Sequence, residues 1–402
     1  MNFNKKGKLK NLVEGIESKV DNTGQRDMLI EEALTAELES GGISIGEIDF
    51  NTLASELISE GSPLSAYALS CGGAEAGVKA VSEAMGASAF PILTKTVVGF
   101  STIKAYDTAV GDVGDLVSEV TTKSTTQDSI PGFTNAGGFE KREEGMRYEE
   151  KHFGEKRTAL TISDFGVTFA LTSEALYEDR MSLLPEWARR SGAKGGSHRA
   201  KMIIQTLEML PRTAFGETTS NLRNHVANTN IISIEDHYSS DHSAVTGLDA
   251  QTNNNVDTTD VSDLSTDGMS AVADLFTDMT DEKGDEIDIK PTVLLVPGLL
   301  YPKAWQLLRS AQEFDTANNA YNFYSGLYKP ISSVFLNTKY YYYLGDFKSQ
   351  LLWGWTYKPT VDMHVSGSDE AFMNKVVFRI KFAYHGGCAH SNYVYIARGG
   401  SS

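Results

Sequence analysis

The sequence contains only two cysteines among its 402 residues, Cys71 and Cys388. Two thiols are too few for a disulfide framework or a cysteine-rich zinc module, and so low a number is typical of a reducing compartment. Long hydrophobic runs are also missing, since no apolar stretch approaches the roughly twenty residues that a membrane span needs. The lysines within residues 1–20 are not followed by an apolar segment of signal-peptide length. We therefore expect a soluble, non-exported protein with no membrane partner.

Positive charge is scarce as well, because 36 basic residues stand against 53 acidic ones and give a formal net charge of -17. A protein that binds nucleic acid through its phosphates normally carries a basic balance, since each such contact releases condensed counterions. The charge excludes a general nucleic-acid binder and allows only local contacts. Hydrophobic residues make up 41% of the chain, which is enough for a buried core, and the length predicts two or three domains or subdomains.

Sequence signatures of common enzymes are missing too. The chain has no Walker motif, no G-x-G-x-x-G after a strand, no C-x-x-C and no H-E-x-x-H. Gly42-Ile43-Ser44-Ile45-Gly46 matches the nucleophile elbow of hydrolases, but that motif needs a strand before the serine, and the preceding residues have a helical pattern. We predict no catalytic residue, and a hydrolase using Ser44 is the alternative from a different class.

Metal-binding patterns are weak. Asp236-His237 and Asp241-His242 place two imidazoles five residues apart, whereas a helix would need three or four for a shared metal, so a surface pair is favoured. In Asp281-Glu282-Lys283-Gly284 a lysine stands where a calcium loop needs an oxygen ligand. We predict no metal and no cofactor.

The N-terminal part of the chain has the pattern of a helical arm. Apolar residues recur at helical spacing in residues 26–40, and shorter amphipathic pieces follow at 51–59 and 74–85, with glycines between them. Residues 92–107 predict a further amphipathic helix. Such short pieces rarely form a core alone, so we expect the arm to pack on other parts of the protein.

Residues 111–155 are rich in glycine, threonine and charge. Both signs of charge and almost no apolar residues occur between 141 and 151, in Lys141, Arg142, Glu143, Glu144, Arg147, Glu149, Glu150 and Lys151. This segment cannot bury itself. It is either a solvated loop, which the residues alone favour, or an extended arm whose charges pair with neighbouring copies.

Residues 158–172 predict a strand, a tight turn at Ser163-Asp164-Phe165-Gly166, and a second strand, because apolar and polar residues alternate on both sides of that point. A helix start follows at Thr172 or Ser173, where a hydroxyl can cap the first turn.

Residues 185–211 predict a long helix with two distinct faces. At 100° per residue, one face is a basic stripe formed by Arg190, Lys194, His198 and Lys201. The other face is small at one end and apolar at the other, with Gly192, Gly196, Ala200, Ile203, Leu207 and Leu210. Gly192, Gly195 and Gly196 each cost a helix about 1 kcal/mol relative to alanine, so they indicate close backbone approach or a kink. The alternative is a loop between two shorter helices.

The rest of the chain alternates between polar and structured stretches. Residues 235–288 are strongly acidic and predict a solvated or flexible insertion until a helix begins at 269–279. A buried strand at 291–297 and a helix at 299–311 then predict an α+β subdomain. Strands are predicted at 340–344, 351–355, 361–365 and 375–384, the last being a long final strand with one apolar face. Trp353 and Trp355 are expected in the core rather than on a ligand-stacking surface.

The order of these elements resembles a tailed-bacteriophage major capsid protein of the Hong Kong 97 fold, closest in pattern to the Mu-like major head subunit. The resemblance rests on three groups of residues. The end of the E-loop is resembled by Glu143-Glu144-Gly145-Met146-Arg147-Tyr148. The run into the spine helix is resembled by Gly154-Glu155-Lys156-Arg157-Thr158, Phe165-Gly166 and Thr172-Ser173-Glu174-Ala175-Leu176, and the axial domain by the strand and helix after Pro291. It covers about three quarters of the chain by order of elements. Residues 1–88 and the acidic insertion have no counterpart in it.

The resemblance implies an α+β phage major capsid fold with an N-terminal arm, an extended E-loop hairpin, a long spine helix, and peripheral and axial domains. The divisions would be a helical, scaffold-like arm (1–88), a helical lead-in (89–110), the E-loop (111–157), peripheral strands with the spine helix (158–211), the acidic insertion (212–268), the axial domain (269–338) and its exit with the return strand (339–402).

The resemblance also implies a non-enzymatic function. The chain would assemble into hexamers and pentamers of an icosahedral virion head around phage DNA, formed in the host cytoplasm. Its partners would be itself, double-stranded DNA by weak contacts, and a portal, scaffold, maturation protease or decoration protein. The charged E-loop residues 141–151 would contact neighbouring subunits, Gly192, Gly196 and Ala200 would pack the spine against a peripheral sheet, and Arg190, Lys194, His198 and Lys201 would face the genome. An encapsulin-like compartment shell is the alternative within the same fold.

Overall fold

The structure, a computed structural model, describes residues 23–40, 89–133, 155–172, 183–208, 238, 253–257, 264–280, 286–312, 321–365, 376–390 and 393–400. The chain divides into two compact units. Unit 1 consists of Met1–Val110, Asp164–Ser197 and Lys358–Tyr384, and unit 2 of Gly111–Ser163, His198–Tyr357 and His385–Ser402. Each unit is thus assembled from three separate stretches of chain.

Helices and strands are mixed along the chain. The helices are α1 (Thr23–Glu39), α2 (Ala89–Val110), α3 (Leu183–Leu207), α4 (Thr266–Asp274), α5 (Tyr301–Arg309) and α6 (Phe347–Gln350), with a 3₁₀ helix at Gly111–Leu116. The strands are β1 (Ser118–Thr121), β2 (Gln127–Phe133), β3 (Glu155–Thr161), β4 (Ser163–Thr172), β5 (Val293–Pro297), β6 (Lys329–Ser333), β7 (Tyr342–Gly345), β8 (Leu351–Val365), β9 (Val376–His390) and β10 (Ile396–Gly399). The predicted α+β class is confirmed.

In unit 1, helix α1 packs on helix α2. Leu34 and Leu38 are four residues apart on one face of α1 and both are buried. Glu31 Oε1 lies 3.8 Å from Lys95 Nζ of α2. The helices predicted within residues 26–40 and 92–107 are therefore confirmed, whereas those predicted at 51–59 and 74–85 lie outside the described residues.

Strands β1, β8, β9 and β4 form one sheet in that order. Strand β8 is continuous, so the two strands predicted at 351–355 and 361–365 are one. The polar interruption between them reflects exposure, since Tyr357 and Lys358 face solvent. In β9, Arg379 and Lys381 are exposed while Ile380 is buried, which confirms the predicted alternation. Strand β9 is not the last strand, however, because β10 follows it.

The turn predicted at residues 163–166 is wrong, because these residues already belong to β4. The two predicted strands do not pair with each other: β3 pairs with β2, and β4 lies beside β9 in the four-stranded sheet. Gly166 allows β4 to approach β9 closely and does not form a turn. A Cβ atom there would lie 3.1 Å from both Ala383 Cβ and Phe382 O of β9.

The chain after α2 differs from the predicted E-loop. Residues 111–121 form the 3₁₀ helix and β1, and β1 pairs in parallel with β8, with Glu119 opposite Trp353. The antiparallel pair is β2–β3, in which Gln127 lies opposite Thr161 and Phe133 opposite Glu155. The ladder of this pair thus covers residues 127–133 and 155–161.

The second four-stranded sheet lies in unit 2, with the order β10-β7-β5-β6. Its central strand β5 pairs in parallel with β6 and antiparallel with β7. Leu294, Leu295 and Val296 of β5 are all buried, as expected for a strand covered on both faces. The core beside it includes Val272 of α4 and Leu308 of α5. The predicted strand at 291–297 and helix at 299–311 are confirmed, while β6 was not predicted.

Part of the predicted acidic insertion is buried, so the expectation of solvated chain is wrong there. Asp257 N donates to Arg398 O at 2.9 Å, and Arg398 N donates to Asn255 O at 2.8 Å, which ties residues 253–257 to β10. The Asn253 amide donates to Thr280 O and to the Tyr393 hydroxyl. These polar residues can be buried because the protein itself supplies their hydrogen-bond partners.

The helix predicted at 269–279 is shorter than expected, since α4 ends at Asp274 and a turn follows. Within the described part of the chain, no helix combines the length and the apolar character needed to cross a membrane.

Candidate assembly site

Helix α3 runs without interruption over 25 residues, although it contains Gly192, Gly195 and Gly196. The alternative of a loop between two shorter helices is therefore wrong. Three internal glycines cost about 1 kcal/mol each relative to alanine, so their position must be explained by what they touch.

Two of these glycines bring α3 against the backbone of α2. A Cβ atom at Gly192 would lie under 3.0 Å from Thr102 O, and one at Gly196 would lie under 3.0 Å from Tyr106 O. No residue with a side chain fits there unless α2 moves. The small face of the spine helix was expected to meet a sheet, but at these two positions it meets a helix.

The third glycine faces the side chain of Phe382 in strand β9. A Cβ atom at Gly195 would collide with the ring of Phe382 in β9. That ring also packs edge-on against Tyr106, with the ring centres 5.9 Å apart. Ala200, the last residue of the predicted packing set, is buried in unit 2.

The N-terminal end of α3 carries a compact charge cluster. Glu186 accepts from Arg189 Nε at 2.7 Å and from Arg190 Nε at 2.8 Å. The hydrogen bond from Arg189, followed by that from Arg190, lowers the pKa of Glu186 to about 2. A carboxylate in the first turn also suits the positive end of the helix dipole.

The four residues of the predicted basic stripe lie in different environments. Arg190 is exposed but paired with Glu186, and Lys194 is exposed. His198 and Lys201 are half-buried. Burial, and then the charge of Lys201, lowers the pKa of His198, which favours the neutral form of this ring. The positive charge of the stripe is therefore carried mainly by Arg190 and the two lysines.

Arg199 is a residue that the sequence reasoning missed. On the helical wheel it falls at about 280°, away from the basic stripe and beside the small face. Its side chain is only 7% exposed, and Nη2 lies 2.6 Å from Oε1 of Glu119. The guanidinium carbon lies 4.9 Å and 4.7 Å from the ring centres of Trp353 and Trp355. The wheel could have identified Arg199 as inward-facing, but no sequence signal links it to Glu119, 80 positions away.

Trp353 and Trp355 are buried, which confirms that they belong to the core. Their rings meet edge to face with centres 5.3 Å apart. Together with Arg199 and Glu119 they form a cluster that we call the Arg199 cage.

The C-terminal end of α3 is held by a second cluster in unit 2. The Tyr238 hydroxyl donates to Leu207 O at 3.0 Å, and the Arg398 guanidinium lies 5.3 Å from the Tyr238 ring centre. Glu208 accepts from the backbone of Asn337 at 3.0 Å. Burial raises the pKa of Glu208, and the backbone hydrogen bonds from Asn337 and Thr338 offset only part of that effect.

Unit 2 leaves large apolar side chains exposed around α5. The exposed residues are Leu299, Trp305, Tyr321, Phe323 and Leu327, which we call the α5 surface. Residues 321–327 run along the end of the helix, because Asn322 N donates to Ala311 O and Gly326 N donates to Leu308 O. Tyr321 is 80% exposed and Phe323 is 74% exposed. Aromatic side chains so exposed are typical of a surface that meets another protein.

Several predicted residues fall outside the described part of the chain. They are Ser44, His237, His242 and the eight E-loop residues Lys141, Arg142, Glu143, Glu144, Arg147, Glu149, Glu150 and Lys151. Among the residues that are described, no group of three or more His, Cys, Asp or Glu side chains could hold a metal ion.

Residues 155–398, more than half of the chain, match the family described as phage capsid protein. The chain belongs to the phage capsid protein family. No curated protein matches it in sequence.

Solved structures similar to this chain include three from phages and related particles. They are the capsid of a native GTA particle (12% identity, 71% of this chain and 88% of that chain, TM-score 0.46), the capsid of Ralstonia phage GP4 (9%, 71% and 87%, 0.46) and a structure from Microbacterium phage Oxtober96 (11%, 72% and 90%, 0.42).

The family match confirms the predicted identity as a phage capsid protein with an α+β capsid fold. The protein is therefore structural rather than enzymatic, and it belongs to the virion. The alternatives of a serine hydrolase and a cellular compartment shell are not favoured.

Proposed function

We propose that this capsid protein assembles with copies of itself into hexamers and pentamers, which close into an icosahedral head around double-stranded DNA. The observation that carries the proposal is the α5 surface, because a folded unit rarely leaves two aromatic rings mostly in water without a partner. For a protein of a shell-forming family, the natural partner is a second copy of the chain.

The α5 surface suits contacts of moderate free energy that are repeated between many subunits. Full burial of one large apolar side chain is worth about 1.5–3 kcal/mol. Part of this gain is lost because association costs translational and rotational freedom. One such contact would be weak, but a closed ring repeats it in every subunit, so the contacts reinforce one another.

The charged E-loop residues supply a second contact in this proposal. Residues 141–151 contain four basic and four acidic residues, and a single exposed ion pair is worth about 0–1 kcal/mol. Several pairs must therefore act together between neighbouring subunits. The seven-residue ladder between β2 and β3 supports the proposal, because it gives this segment a firm base.

Genome contact is proposed through the basic stripe, in which Arg190 and Lys194 are exposed. With Arg190 paired to Glu186 and the neutral form of His198 favoured, the stripe offers little positive charge, so it would touch DNA without holding it tightly. The net charge of -17 would keep the remaining surface from binding the genome.

The remaining assignments extend the same proposal. Unit 2's sheet of β10, β7, β5 and β6 would be the axial domain, and the sheet with β4 and β9 would be peripheral. Residues 1–88 would act as a scaffold-like arm. A portal, scaffold, maturation protease or decoration protein would act on the shell in the host cytoplasm.

Expression of the whole chain, followed by sedimentation and negative-stain electron microscopy, tests the proposal. The wild-type chain is expected to form closed shells, and a Trp305→Ser, Phe323→Ser variant to remain unassembled with little change in thermal stability. A Lys290→Gln, Asp288→Asn variant is the control, since it removes an ion pair whose side chains are about 80% exposed. Shells formed equally well by the Trp305, Phe323 variant would refute the role of the α5 surface. Shells that package protein cargo instead of DNA would refute the genome assignment.

A further inference from the structure

We propose that the ion pair between Arg199 and Glu119 is a latch that holds β1 against α3 and thereby sets the direction of the β2–β3 pair. The inference rests on the proposed function, because the direction of β2–β3 matters only if that pair contacts neighbouring subunits.

Strand β1 needs such a latch because its own sheet fixes it weakly. It is four residues long and lies at the outer end of the order β1-β8-β9-β4. Its ladder to β8 runs from Ser118 opposite Leu352 to Thr121 opposite Trp355. A parallel ladder is slightly less stable per residue than an antiparallel one, and a strand at a sheet edge is paired on one side only. The bond from Glu119 to Arg199 adds an anchor outside the sheet.

Movement of β1 would carry over to β2 because the five residues between them are tightly held. Thr122 N donates to Trp355 O at 2.8 Å, and Ile162 N donates to Thr126 O at 2.9 Å. Ser124 O accepts from the Thr356 hydroxyl at 2.7 Å. The Thr122 hydroxyl also donates to the Asp128 carboxylate, which is the second residue of β2. A shift of β1 would therefore strain the bonds to β8 and would act on β2 through the bond between Thr122 and Asp128.

Stability alone does not account for a charged group at this place. The Arg199 side chain is 7% exposed, whereas the Glu119 side chain is 43% exposed, so the cost of burying a charge falls on the guanidinium. Arg199 Nε has no hydrogen-bond partner among the described residues, so the guanidinium is incompletely compensated. An unbranched apolar side chain at position 199 would lie near the same two tryptophan rings without burying a charge. What the guanidinium adds is a directional bond that fixes the position of Glu119.

The test compares Arg199→Met, Glu119→Leu in one chain with the wild type. An apolar pair should preserve the fold, so the melting temperature should change by less than about 4 °C, the shift expected for 1 kcal/mol or less. Hydrogen exchange at residues 118–133 should become at least about tenfold faster, because local opening is no longer opposed. Particle yield should fall in parallel. The variant lacking the exposed pair of Lys290 and Asp288 is the control and should match wild type in all three measurements.

Two results would overturn the latch. Unchanged exchange at residues 118–133 would show that the ion pair does not hold β1. A melting temperature lowered by more than about 10 °C would show that the pair is simply part of the folded core. If the double variant does not fold, Glu119→Gln keeps the shape of the cluster and must still accelerate exchange. A wild-type chain that forms no shells would refute the proposed function, while the exchange data would still decide the latch.

Discussion

The two halves of helix α3 are anchored by opposite means. Up to Ser197 the helix belongs to unit 1 and presents glycines, so that its backbone touches the backbone of α2 at Gly192 and Gly196. From His198 onward it belongs to unit 2 and buries large side chains such as Ile203 and Leu207. Backbone contact leaves no room for added atoms, whereas interlocking side chains can adjust. One helix therefore contains a strictly constrained half and a tolerant half.

Gly196→Val should have the largest effect, because it directs a side chain at Tyr106 O and Ala109 Cβ. Overpacking typically costs about 1–3 kcal/mol, and a clash with backbone belongs at or above the upper end. We expect folding of unit 1 and particle assembly to fail together, as measured by circular dichroism and electron microscopy.

Gly99→Ala in α2 is the matched control for this substitution. A Cβ atom there would lie 3.9 Å from Val361 Cβ, which is ordinary contact, and alanine favours a helix over glycine by about 1 kcal/mol. This variant should be slightly more stable than wild type. A Gly196→Val variant with wild-type stability would contradict the backbone contact.

Gly195→Ala should have an intermediate effect, since its Cβ would meet the ring of Phe382 rather than backbone. A loss of about 1–3 kcal/mol is expected from overpacking. Adding Phe382→Leu to the same chain should recover part of the loss, because it removes the ring that collides. Denaturant unfolding of the two single variants and the double variant measures this coupling, and strict additivity would argue against it.

Ile203→Val and Met202→Leu, in the tolerant half, should have smaller effects. Both side chains are fully buried, and such conservative changes usually cost about 0.5–1.5 kcal/mol. Shells should still form. Loss of assembly from Met202→Leu at unchanged stability would show that this half is as strictly constrained as the first.

The smallest effects concern the two ends of α3, where the pKa of Glu186 is lowered and that of Glu208 is raised. Glu186 stabilises the fold above its ordinary pKa of 4.5, and this contribution is lost as the pH falls towards about 2. Glu208 behaves in the opposite way: the fold favours its protonated form, and that contribution is lost as the pH rises through its raised pKa.

Glutamine substitutions distinguish the effect of Glu186 on stability from that of Glu208. Glu186→Gln should lower the melting temperature at pH 7 and leave it unchanged near pH 2. Glu208→Gln should raise the melting temperature at pH 7, because the buried charge is removed while an acceptor for Asn337 N remains. Melting curves between pH 2 and pH 7 check both expectations. If both variants shift the melting temperature in the same direction at pH 7, the opposite pKa effects at Glu186 and Glu208 are contradicted.

Periodicity was sufficient to predict much of the fold, because α1, α2, α3, α5, β5 and β9 each have one consistent pattern of apolar residues. It failed where a residue's role depends on a partner far away in sequence. The local sequence around Gly166 predicts a turn because it does not show that β9 packs against this residue. The local sequence of residues 253–257 predicts solvated chain because their hydrogen-bond partners, such as Thr280 and Arg398, lie far away in sequence.

The candidate site was less predictable for the same reason. The small face of α3 follows from residue spacing alone, but whether it meets a helix or a sheet does not. Arg199 is one arginine among many in the sequence, and only the folded chain brings Glu119 and the two tryptophans around it. Exposure of Trp305 and Phe323 likewise depends on how residues 321–327 return along α5.

Electron microscopy of the purified wild-type chain tests the central claim most directly, namely that this capsid protein builds a closed shell from its own copies. The account predicts uniform closed particles whose subunits meet through the α5 surface. A chain that is folded by circular dichroism yet remains monomeric across protein concentration, salt and pH would contradict it.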